Sequence, residues 1–336
     1  MSRVTTTSSR LVAGTIAALV LAACSSVTDD ASTRSMTPTD PSLNRAAEFN
    51  APRHEFKTKE FYARPGGSGK STGITYHGGT VIAGPSVTKV VAIYWSTGTI
   101  YPSQPTGTGA GGSDGSLIGS FLNHLGGSPY FNINTTYYNA SGAHVLNAVQ
   151  YTSYWATGNS VAGPSASPTD QDMINLIQAG INQGKIAYDP NTVYAIFTGN
   201  GVNLGGGFGS RYCAYHTHGT TSQGVAYFAA MPYNQQYPSA CTAALASPNA
   251  DVAGNSEVNT LAHEIEETTT DALGNAWFDN RGYENADKCA WIWGTTQTSP
   301  NGGKYNMQLS DGKYYLVQQN WVNAGSGGCA TSYLAT

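Results

Sequence analysis

The chain has 336 residues, a formal net charge of -4 and only 11% charged side chains. That balance excludes a nucleic-acid binder, which needs a basic face. Gly (40) and Tyr (21) are abundant, as in a loop-rich β protein or one that offers Tyr, Asn and Gly to carbohydrate or cell wall.

At the N-terminus, Arg3 and Arg10 flank the start of an apolar run, Leu11 to Val20, too short to span a bilayer comfortably. It ends in Leu21-Ala22-Ala23-Cys24. A charged start, a short apolar core and small residues before the cut describe a secretory signal over residues 1–23. Leu-Ala-Ala-Cys resembles a bacterial lipobox, which makes Cys24 the lipidated N-terminus of an exported protein tethered to the membrane at the cell envelope. Setting Cys24 aside leaves Cys213, Cys241, Cys289 and Cys329, an even number in an oxidising compartment, and therefore two disulfides. Of the three possible pairings, Cys213–Cys241 with Cys289–Cys329 is expected, since each closes a local loop. No CxxC pair points to a cysteine metal site.

Residues 24–73 are rich in Ser, Thr, Pro, Asp, Arg and Lys with little apolar periodicity, and read as a flexible tether. From residue 74 the composition changes, and 74–336 reads as one domain. Short β-branched and aromatic runs predict strands at 89–95, 192–197, 225–230 and 314–321. Two segments carry helical period instead. Leu117, Ile118, Phe121, Leu122 and Leu125 share a face ended by Gly126-Gly127; Ile174, Ile177 and Ile181 follow Asp170 as a cap, with Gly184 as the stop. Strands interleaved with a few helices predict an α+β fold with a mixed sheet. Gly205-Gly206-Gly207-Phe208-Gly209 lacks the Lys-Ser/Thr of a phosphate loop and reads as a mobile loop.

The chemistry concentrates further on. Val258, Leu261, Ala262 and Ile265 fall at i, i+3, i+4 and i+7, predicting a helix from Asn255 or Ser256, either of which can cap it, to about Asp271. On it stands His263-Glu264-Ile265-Glu266-Glu267, a zinc-hydrolase helix signature with Glu267 in place of the second His. His263 and Glu267 lie one turn apart and can converge on one ion. Glu264, about 100° around the helix, stands as a general base would. Glu284 and Asp287 follow in Tyr283-Glu284-Asn285-Ala286-Asp287. Carboxylates gathered beside an imidazole raise one another's pKa, and a divalent cation offsets that repulsion.

Several ordered blocks then resemble the EXORDIUM or phosphate-induced protein 1 family. They are Tyr76-His77-Gly78-Gly79, Ile93-Tyr94-Trp95, Cys213-Ala214-Tyr215-His216, Ala262 to Glu267, Asn275 to Asp279, Glu284 to Cys289, and Leu316-Val317-Gln318 with Cys329. The resemblance covers about residues 74–332. It implies a secreted extracellular-matrix protein, as in plants, where the family is linked to growth and phosphate response; the family also has bacterial relatives. It does not settle an activity. A weaker likeness is to gluzincin metallopeptidases, and it implies Glu284 as a third ligand with Asp287 supporting the first His. With His263, Glu267 and Glu284 as ligands the set is one imidazole and two carboxylates. Such a set suits zinc and also accepts Mn²⁺ or Ca²⁺. His216 is either a further ligand or transition-state donor or a structural histidine in a disulfide-pinned loop, and His77 either joins the site or supports a turn. The expected function is a metal-dependent hydrolase with Glu264 catalytic, acting on extracellular peptide or cell-wall polymer. The alternative is a non-catalytic wall or glycan binder whose acidic cluster is structural.

Overall fold

A computed structural model describes residues 51–63 and 73–334. The signal segment, Cys24 and the first part of the tether lie outside the described residues. In chain order the elements that build the site are β1 (His54–Lys57), α1 (Lys59–Ala63), β2 (Thr75–Tyr76), β3 (Thr88–Trp95), β4 (Gly107–Ala110), α2 (Leu117–Leu125) and β5 (Val149–Ala156). There follow α3 (Asp170–Asn182), β6 (Thr192–Thr198), β7 (Tyr212–Thr221), β8 (Gly224–Met231), α4 (Pro238–Cys241), α5 (Val252–Thr270) and β9 (Trp277–Phe278).

Seven strands form a mixed sheet in the order β1-β7-β8-β6-β3-β5-β4, so the fold is α+β as expected. The centre is parallel: β3 pairs with β5 and β6, and β6 with β8. Antiparallel strands close both edges, β4 on β5 at one side and β8-β7-β1 at the other. Strand alternation explains the layers. Val90, Ala92 and Tyr94 join Leu117, Phe121, Leu261 and Ile265 on one face of the sheet. Val91, Ile93 and Trp95 join Met173, Ile174, Leu176 and Ile177 on the other. β3 and β6 are therefore covered on both sides, which is why they read as continuous apolar runs.

Three boundaries differ from the sequence reading. α5 begins at Val252 because the Asp251 side chain accepts from the Gly254 N–H at 2.8 Å, leaving Asn255 and Ser256 inside the helix. α3 is capped by Thr169, not Asp170, in a reciprocal capping box with Asp172. The strand predicted over 314–321 is broken into Tyr314–Tyr315 and Asn320–Val322. Between them the Val317 N–H and carbonyl bond to the Asn306 side chain, and the Gln318 N–H bonds to Asn259.

The tether assignment also fails over residues 54–63, which carry β1 and α1. β1 adds to the edge of the sheet with His54 opposite His216 and Phe56 opposite Ala214. Phe56 is fully buried, stacked between His263 at 4.1 Å and Trp291 at 4.6 Å. A polar composition concealed one apolar anchor large enough to dock the strand.

The apolar period of α5 implies one buried stripe. Instead every residue from Gly254 to Thr270 is buried. Val258, Leu261, Ala262 and Ile265 pack on the sheet, while the chain beyond Gly274 covers the opposite side. That cover is held by hydrogen bonds from Asn285 to the Glu266 carbonyl and from Asn320 to the Glu266 carboxylate. Both expected disulfides form, Cys213–Cys241 and Cys289–Cys329. The first joins β7 to α4; the second cross-links the cover to itself. Disulfides of this kind belong to an extracellular or exported protein. Among the described residues, no helix is long and apolar enough to cross a membrane.

Candidate metal centre

Four elements aim side chains into one buried space beside α5. The helix contributes His263, Glu264 and Glu267. β7 contributes His216, which antiparallel pairing places beside His54 of β1, their rings stacked 4.9 Å apart. The segment after β9 contributes Glu284 and Asp287, fixed by Lys288, whose ammonium makes a buried ion pair with Asp279 at 3.0 Å. The last turn of α5 is held by Thr268, Thr269 and Thr270, whose hydroxyls donate to carbonyls one turn back.

Three groups of potential ligand atoms result: His263 with Glu267 and Asp287; His216 with Glu264 and Glu267; and His54 with His216 and Glu284. The first has His263 Nε2 at 3.0 Å from Glu267 Oε1 and 3.8 Å from Asp287 Oδ1. In the second, His216 Nδ1 lies 3.2 Å from Glu264 Oε2 and 3.6 Å from Glu267 Oε2. In the third, His54 Nδ1 meets Glu284 Oε2 at 2.9 Å, and His216 Nε2 is 3.7 Å from Glu284 Oε1.

The six site residues named from the sequence are thus neighbours, but their partition differs from the expected one. Among the described residues no single group holds His263, Glu267 and Glu284 together. Asp287, expected behind His263 as a support, shares a group with it; Glu284, expected as a ligand beside His263, sits with His216 and His54. Glu264 is drawn into the His216 group. His77 is elsewhere, stacked on Phe278 at 3.8 Å and bonded to the Phe278 carbonyl. His54 was missed, because it lay in the segment assigned to the tether. Its signal was the alternation His54-Glu55-Phe56-Lys57, which puts the imidazole and Phe56 on one face of a strand.

Burial dominates the electrostatics. It lowers His263 to about 4, with Asp287 opposing, lowers His54 to about 4, and holds His216 well below the usual histidine value. Burial pushes Glu264 and Glu284 well above the usual carboxylate range, and the charge of Glu267 adds to it. Glu267 is raised by burial against the opposing Asp287 N–H, which donates to it at 3.0 Å. Asp287 is raised to about 7, by burial first and then by Glu267. Neutral imidazoles and proton-retaining carboxylates are what a dry pocket enforces. A divalent cation reverses the carboxylate part of that balance and binds neutral imidazole directly.

Buried polar atoms normally find partners. Here His216 Nε2, both ring nitrogens of His263, Glu264 Oε1, Glu267 Oε2 and Glu284 Oε1 are buried without a hydrogen bond. Such a concentration fits a cation. The centre is bordered at Asp287 by a pocket. The pocket, of about 260 Å³, is lined by Lys59, Tyr62, Trp291, Ile292 and the outer edge of Asp287, among others. The Tyr62 hydroxyl donates to Asp287 Oδ1 at 2.5 Å at its inner end.

Fold and centre together define a disulfide-bonded α+β protein with a buried cluster of imidazoles and carboxylates able to hold metal. The model of the family described as the phosphate-induced protein 1 conserved region matches residues 123–332, and the chain belongs to that family. The matched region contains both disulfides and every cluster residue except His54. No curated protein matches the chain, and no solved structure does.

Proposed function

We propose that this phosphate-induced protein 1 family member is an exported, lipid-anchored, divalent-metal-dependent hydrolase of extracellular peptide or cell-wall material. The observation that carries the reading is the set of unpaired buried imidazole and carboxylate atoms beside α5, lying next to an open pocket at Asp287. A divalent cation supplies Lewis acidity and brings water toward deprotonation near neutral pH. His263, Glu267 and Asp287 would hold the cation, with Asp287 bordering the pocket. Glu264 is the carboxylate on which activation of the attacking water rests. Tyr62 fixes Asp287, and the ring of Trp291 forms a wall against which substrate lies. The ligand chemistry, nitrogen with several carboxylates, suits zinc and accepts manganese. The anchor is the lipid on Cys24, within the membrane-proximal segment.

The test is hydrolysis of peptide and wall-polymer panels by purified, metal-loaded protein, with Glu264→Gln alongside. The variant should lose at least about 100-fold in rate. Full metal occupancy with no turnover on either panel would overturn the hydrolase reading.

A non-catalytic glycan-binding reading is favoured by a separate feature. Exposed His77 lies flat on Phe278, and Tyr138, also exposed, packs against Tyr76 and Trp277. Together they make an aromatic surface on which sugar rings can lie. Binding of wall glycans that His77→Ala and Tyr138→Ala weaken, without any turnover, would select this reading.

A further inference from the structure

Two of the three ligand groups share one carboxylate. Glu267 divides its carboxylate between them: Oε1 lies at His263 Nε2, 3.0 Å, and Oε2 lies toward His216 Nδ1, 3.6 Å. His263 Nε2 and His216 Nδ1 are the ring nitrogens that face Glu267, while His216 Nε2 lies 3.7 Å from Glu284 Oε1. The third group differs in lacking Glu267, and in it His54 Nδ1 meets Glu284 Oε2 at 2.9 Å. Together these contacts form a brace behind His216.

We propose that the centre holds two divalent transition-metal ions bridged by Glu267. His263 and Asp287 complete the outer position beside the pocket, and His216 and Glu264 complete the inner one. Two imidazoles and four carboxylate oxygens, two of them from the bridging Glu267, match the donor set of two-metal hydrolytic centres, whose ions sit about 3.5–4 Å apart. The inference rests on the metal-dependent reading above and sharpens it: Glu264 serves water activation by holding the inner ion. It also gives Glu267 a reason to be a carboxylate. A second histidine at that position offers one nitrogen to one ion, whereas a carboxylate spans two.

The test uses the purified full-length chain, stripped with chelator and reloaded with Zn²⁺ or Mn²⁺ alone. Elemental analysis should give two ions per chain, and the Mn²⁺-loaded protein should show an exchange-coupled electron paramagnetic resonance spectrum. His263→Gln and His216→Asn should each retain one ion and show an uncoupled Mn²⁺ signal, and Glu267→Gln should abolish the coupling. Glu266→Gln lies on the same buried helix outside the cluster and should keep two ions. The spectrum of the unsubstituted protein decides the matter even if a variant fails to fold. One ion per chain, or two uncoupled ions, overturns the bridged centre. One ion with retained turnover sinks this inference and leaves the hydrolase reading intact. Two coupled ions without turnover do the reverse.

Discussion

The two faces of the seven-stranded sheet solve the burial problem in opposite ways. On the α3 side, Met173, Ile174, Leu176 and Ile177 meet Ile93, Trp95, Ile196 and Phe228 in an apolar layer. On the α5 side, a helix carrying one histidine and four glutamates is buried along almost its full length, between the sheet and the C-terminal cover. The first face derives its stability from area removed from water. The second places groups that prefer water where they meet little of it, and ties them down with disulfides and side-chain hydrogen bonds. The α3 face is therefore chiefly apolar, while the α5 face adds a buried cluster of titratable groups to its own apolar contacts with the sheet.

That contrast can be broken most forcefully at the cover. Replacing Cys289 and Cys329 together by Ser opens a loop with a sequence separation of 40. It should cost about 4 kcal/mol in denaturant unfolding and expose the segment bearing Glu284 and Asp287 to proteolysis first. Loss of stability without local exposure would mean that the bridge does not serve the site. Next, Ile177→Ala, on the α3 face, should cost about 3 kcal/mol by cavity formation. That loss should be the same at pH 5 and pH 8 and with or without chelator. A pH-dependent loss would show the two faces to be coupled.

Glu257, on α5 but outside the three ligand groups, probes the other face. Its carboxyl is raised to about 8, chiefly by burial, with the hydrogen bonds of Asn234 and Tyr101 opposing. Between the ordinary glutamate value and 8 the folded state keeps a proton that the unfolded state has released. Stability from this group is therefore whole below the unfolded pKa and is lost as pH rises through 8. Glu257→Gln should remove the effect, leaving the variant about 2 kcal/mol more stable relative to the unsubstituted protein at pH 8.5 than at pH 5. That is roughly half of what an unrelaxed shift gives. Parallel urea midpoints for the two proteins across that range would refute it. The smallest effect returns to the α3 face: Thr169→Ala removes the cap and should cost about 1 kcal/mol, read as a lower melting temperature with the α5 site undisturbed.

Much of this contrast was legible in the chain. The apolar runs of β3, β6 and β8 and the period of α2 and α3 gave the mixed sheet and its helices. Val258, Leu261, Ala262 and Ile265 gave the helix that bears the site, and the spacing of His263, Glu264 and Glu267 marked where the chemistry lies. What escaped was long-range. His54 looked like tether because a four-residue strand with one large apolar side chain carries too little period to register. The break at 316–319 escaped because its hydrogen bonds go to Asn259 and Asn306, side chains distant in sequence.

The sequence by itself determined the class of fold and the helix that carries His263-Glu264-x-x-Glu267, since each follows from local periodicity; of the three cysteine pairings it left open, the structure shows the one expected from loop closure. Only the tertiary structure decided that Asp287 joins His263, that Glu284 stands with His216, and that His54 braces them. Those relations depend on β1 pairing with β7 and on where the cross-linked cover lies. Residues within one helix meet through a fixed 3.6-residue turn, whereas residues on four separate elements meet only where packing brings those elements together.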